Sequence, residues 1–114
     1  LRRHSLIGYI DDLLYANELR YLDDVLPGLK PIISSSSIRA QQEMIARDVG
    51  LGILPCFMGE TAPELVRLLP KEIAITGTFW LSARRDVLQT ARARHVRNWV
   101  YEAVAARRKI LLPN

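Results

Sequence analysis

At 114 residues the chain fits one small domain or part of a larger one. Its residues are 49% hydrophobic and 25% charged, which excludes a low-complexity or disordered chain, and its apolar runs are too short to span a bilayer. The formal net charge is +4, and the one cysteine, Cys56, excludes an internal disulfide and fits a reducing compartment.

The chain opens Leu1-Arg2-Arg3-His4, with neither an initiator methionine nor the h-region of a secretory signal. It is expected to be a fragment of a longer protein. Leu6 to Ile10 reads as a strand that ends in Asp11-Asp12. Adjacent carboxylates diverge in most backbones, so these two suit an N-cap and a first helical turn better than a metal or acid/base pair. Leu13 to Val25 carries Leu14, Leu19, Leu22 and Val25 among polar residues, an amphipathic helix pattern. Pro27-Gly28 ends it with a turn.

Ile32-Ile33 is a short apolar run that drops into Ser34, Ser35, Ser36 and Ser37. Ile38, Ile45 and Val49 then share one helical stripe, and Gly50 stands where a helix C-cap glycine is expected. Leu51-Gly52-Ile53-Leu54 follows as a buried strand closed by Pro55. Strand, polar turn, helix and strand form one βαβ unit of a parallel sheet. Ser36 or Ser37 is the N-cap. The free N–H groups of the first turn, with the helix dipole behind them, suit a carboxylate or phosphate. In a parallel sheet Pro55, Cys56 and Phe57 emerge at the same end as Ser34 and Ser35, where open α/β sheets bind ligands. The other reading of the same residues is that the serines only cap and Phe57 only packs. Gln41 and Gln42 either face a ligand or lie at the edge of the core.

Met58 to Pro63 reads as a loop or a single helical turn, Glu64 to Leu68 as a short strand, and Ala74 to Ala83 as the longest β-like run, interrupted at Gly77. Val87 to Arg108 is the strongest helix pattern, with Leu88, Val96, Trp99, Val100, Ala103 and Val104 on one face. Arg92 falls on that face and needs a partner or a route to water. From Arg84 to Lys109 eight basic residues stand against Asp86 and Glu102, a local +6 that leaves −2 for the remainder. This is read as the solvated face of a helix, with direct nucleic-acid binding as the alternative. His95 is read as structural, and Leu111 to Asn114 as a tail.

No P-loop, GxGxxG, zinc spacing, GxSxG or HExxH occurs, and neither His4 nor His95 is linked by a motif to Cys56. The thiol is read as a small packed group rather than a nucleophile. Neither an enzyme activity, a metal nor a cofactor is expected.

Several segments together resemble the C-terminal half of the effector-binding domain of LysR-type transcriptional regulators. They are Ile7-Gly8-Tyr9, the Leu-rich stretch through Glu18-Leu19-Arg20-Tyr21-Leu22, and the four serines followed by Gln41. Val49 to Phe57 follows the family's glycine-rich strand ending in Leu-Pro. Leu65-Val66, Phe79-Trp80-Leu81 and the helix from Arg92 to Trp99 complete the series.

That resemblance implies an α/β fold like type 2 periplasmic binding proteins, a three-layer αβα arrangement of two subdomains of which this chain is an incomplete part. Residues 1–78 would be part of the second subdomain. Residues 79–109 would be the return strand and C-terminal helix of the first, and residues 110–114 a tail. It implies a cytoplasmic regulator that binds a small-molecule effector and is a homo-oligomer, a dimer or, in the full-length parent, a tetramer. DNA would be bound only through an N-terminal helix-turn-helix outside this chain, with no membrane involved. The matching effector positions are Ser34, Ser35, Pro55 and Phe57, with Asp11 a weaker match. A solute-binding protein of a transporter, which shares the architecture, is the alternative.

Overall fold

A computed structural model describes residues 3–14 and 19–113. The chain divides into two compact units, Leu1–Gly77 and Thr78–Asn114. In the first, three short parallel strands form one sheet in the order β2-β1-β3, from β1 (Leu6–Gly8), β2 (Ile33–Ser34) and β3 (Leu51–Gly52). Ile7 is paired with Ile33 on one side and with Gly52 on the other, and it is fully buried. The strands joined by the central crossover are therefore not neighbours, because β1 lies between them. The chain is an α/β protein with a parallel sheet, as its βαβ pattern predicts.

Asp11–Leu13 forms a 3-10 turn with both aspartates in it, and Leu14 is extended. The helix expected over Leu13 to Val25 is thus not continuous: α1 covers Tyr21–Val25, and residues 15–18 lie outside the described part. Leu29 N–H donates to the Leu26 carbonyl, and Gly28 between them has φ of 81°. Pro27 and Gly28 thereby make a type II turn, in which the residue after proline must take positive φ.

The central helix α2 (Ile38–Ala46) starts at Ser37, whose hydroxyl accepts from Ala40 N–H at 3.3 Å. It packs on β1 and β3. Its end differs from the glycine cap expected at Gly50. Asp48, with φ of 59°, occupies the left-handed position. Val49 N–H donates to Met44 O and Asp48 N–H to Ile45 O, both at 3.1 Å, the paired bonds of a Schellman cap. Gly50 has another duty. A side chain there would run into the Ser5 carbonyl, which accepts from Leu51 N–H at 2.8 Å.

α3 (Cys56–Gly59) follows directly on Pro55. No strand forms over Glu64 to Leu68 or Ala74 to Ala83. A strand needs a ladder partner, and among the described residues these runs have none; Val66 and Phe79 are 80% and 90% exposed. In the second unit, the pattern from Val87 to Arg108 is divided into α4 (Arg85–Leu88), α5 (Ala91–Ala106) and α6 (Arg108–Leu111). Thr90 makes the first break: its hydroxyl donates to Val87 O at 2.8 Å and accepts from Ala93 N–H at 3.3 Å, so it closes α4 and caps α5. Val96, Trp99 and Val104 of α5 are all at least half exposed, and Arg92 reaches solvent.

Candidate functional site

Because the strands are parallel, the segments that follow them leave the sheet at one end. Ser35 and the serine turn follow β2, Tyr9 to Asp11 follow β1, and Ile53 to Phe57 follow β3. Ser34 and Ser35 thus lie on one side of the central strand, and Pro55 and Phe57 on the other. The strands they follow, β2 and β3, are about 10 Å apart, two inter-strand spacings. Asp11 follows the strand between them.

The serine turn is ordered by its own hydroxyls. Ser35 N–H donates to Gly8 O at 3.0 Å, and Ser37 N–H donates to Ser35 Oγ at 3.1 Å. With Ser37 Oγ engaged by Ala40, the N–H groups of Ile38 and Arg39 donate to no protein partner among the described residues. They carry the positive end of α2, a nine-residue helix. A carboxylate placed there would meet donors already oriented.

Opposite, Pro55 precedes α3, and its carbonyl accepts from Met58 N–H at 2.9 Å. Phe57 is 38% exposed, and the Cys56 thiol is half-buried. The two corners are joined through α2. Gln41, 1% exposed, donates through Nε2 to Ser35 O at 2.9 Å. Gln42, 8% exposed, donates through Nε2 to Met58 O at 3.0 Å and accepts from Arg39 Nη1 at 2.7 Å. Consecutive residues on a helix point about 100° apart. Both are buried here because the first turn of α2 is wedged between the serine turn and α3.

Asp11 is brought to a different feature, a cavity of about 190 Å3 between β1, α1 and the loop into β2. Tyr9, Tyr21, Leu22, Leu29, Lys30 and Gln41 are among its walls. The Tyr9 and Tyr21 rings are tilted at 59° with centroids 6.3 Å apart. Ser34, Ser35, Pro55 and Phe57 do not line it. Nothing in the sequence pointed to Tyr9, Arg20, Tyr21 and Lys30 as a group. They come from three different segments, and no spacing rule connects them. No group of three or more His, Cys, Asp or Glu side chains among the described residues is placed to hold a metal ion. No helix among them is long and apolar enough to cross a membrane.

Comparison with known proteins adds three findings. A 70-residue stretch is 33% identical to the DNA replication and repair protein RecF of Chlorobium limicola, and covers 61% of this chain. The chain spans only 18% of the length of that relative. No solved structure matches the chain. The family described as the LysR substrate binding domain matches residues 1–105. Domains of this kind are built like periplasmic binding proteins and serve regulators as effector-binding parts. Over nearly its whole length, the chain belongs to the LysR substrate binding domain family.

Proposed function

We propose that the chain is the C-terminal part of an effector-binding domain, and that it supplies one half of the seat for a small carboxylate-bearing metabolite. The observation that carries this is the pair of unpartnered N–H groups at Ile38 and Arg39, held behind the serine turn at the carboxyl end of a parallel sheet. Ser34 and Ser35 bound the seat on one side, Pro55 and Phe57 on the other, and Asp11 closes it at the central strand. Gln41 and Gln42 keep the two sides in register. The other half of the cleft belongs to a second subdomain, and closure over the ligand passes the signal on by differential contact in open and closed states. The apolar residues Val96, Trp99 and Val104 on α5 are the surface that we assign to packing against that subdomain or another copy of the chain. DNA recognition lies with a separate helix-turn-helix in the parent, a cytoplasmic regulator.

Calorimetry of the two-subdomain parent with a panel of small carboxylates tests the reading. Saturable binding that Phe57→Ala weakens supports it. A panel without a binder, in a protein that still folds, overturns it. The similarity to RecF, together with the local +6 charge from Arg84 to Lys109, favours one second reading, direct contact with DNA. That reading requires an affinity that falls steeply with salt, and no DNA binding at low ionic strength ends it.

A further inference from the structure

We infer that the cavity between β1 and α1 binds a zwitterionic α-amino acid with an apolar side chain. This goes beyond the seat at the serine turn, since the cavity shares only Asp11 and the Gln41 side chain with it, and Ser34, Ser35, Pro55 and Phe57 do not line it. Size limits the occupant first. An apolar cavity of about 150 Å3 takes one benzene molecule. At about 190 Å3 this one has room for a branched four-carbon chain or a single ring, with its charged groups at the open side.

The walls supply the apolar part. Ile7 is fully buried, Leu29 is 7% exposed, and both line the cavity together with Leu22 and Ile53. Charge then decides the polar part. Arg20 and Lys30 line the cavity, and neither pairs with a carboxylate among the described residues. Asp11 and Asp23 line it too; Asp23 Oδ1 accepts from Gly28 N–H at 3.3 Å, whereas Asp11 has neither a hydrogen bond from its side chain nor an ion pair among the described residues. A simple carboxylate would be drawn to the cations but repelled by Asp11, and a simple amine would meet the reverse. A ligand with both charges satisfies both. Tyr9 and Tyr21 add ring faces that attract an ammonium group.

The probes are L-leucine, 4-methylpentanoate, which lacks the ammonium, and 3-methylbutylamine, which lacks the carboxylate. In calorimetry on the folded chain, L-leucine should bind at least tenfold tighter than either analogue. Lys30→Met and Asp11→Asn, both at exposed positions, should each remove at least tenfold of that affinity while the circular dichroism spectrum is unchanged. Amide shifts on binding should centre on Tyr9, Tyr21 and Lys30. Equal binding of the carboxylate or of the amine overturns the assignment, as does no binding by any of the three. Shifts confined to Ser35 through Arg39 also overturn it, and leave the serine-turn seat standing.

Discussion

Gln42 Nε2 donates to the main-chain carbonyl of Met58 across 16 residues of sequence, and the bond is buried. It fastens α2 to α3, the corner that carries Phe57. A buried acceptor that loses its donor costs about 1–3 kcal/mol. Gln42→Leu should therefore destabilise the chain by about that amount in urea unfolding. Thr61 Oγ1 also donates to Met58 O, at 3.3 Å, and so keeps the loss toward the lower end of the range.

The cap of α2 makes the opposite prediction, a gain. Asp48 pays for a left-handed conformation that glycine adopts freely. Its carboxylate also stands at the negative end of the helix dipole. Asp48→Gly should stabilise by about 0.5–1 kcal/mol, read as a rise in Tm. An unchanged or lower Tm would show that Asp48 has a compensating contact.

At the other end of the same helix, Ser37 satisfies Ala40 N–H and receives no help from an acidic first turn. Ser37→Ala should cost about 1 kcal/mol, and Ser37→Asp should restore most of it, because a carboxylate caps the same amide and favours the dipole. Ser36→Ala should leave Tm unchanged, since Ser36 makes no side-chain bond among the described residues.

The central βαβ unit was legible because its signals are local. An apolar pair, a run of serines, a stripe at helical spacing and a Leu-Gly-Ile-Leu run each need only a short window, although only Leu51 and Gly52 of that run pair as a strand, and they are half-buried rather than buried. Ser37 as N-cap was one of two serines that the pattern allowed. The end of α2 was misread because glycine has two uses. The sequence offered Gly50 as the left-handed residue, but the chain turns at Asp48 and spends Gly50 on close approach to Ser5. Glu64 to Leu68 and Ala74 to Ala83 have strand composition without a strand, because pairing depends on a partner that no window contains. The two glutamines show the same limit. Their burial follows from segments 6 and 16 residues away, not from their place on the helix. Thr90 was a missed local signal, a good N-cap residue directly before a run of helix formers.

Gly50 and Gly52 provide the sharpest comparison, since both precede or belong to β3 and both sit close to other atoms. A Cβ on Gly50 would meet the main-chain carbonyl of Ser5, which is fixed by its bond to Leu51 N–H. A Cβ on Gly52 would meet the Cδ1 end of Ile45 at 2.7 Å and the Ile7 carbonyl at 3.2 Å. Ile45 can rotate away, whereas Ser5 can yield only by breaking the lead-in to the β1–β3 pair. Overpacking costs about 1–3 kcal/mol where neighbours cannot relax. Gly50→Ala should fall at the upper end of that range or beyond, and Gly52→Ala below it. Hydrogen exchange should show the Leu51 amide losing protection in the first variant and keeping most of it in the second. Equal costs for the two substitutions would mean that the Ser5 segment is free to move, and that β3 is held by its ladder to β1 rather than by this contact.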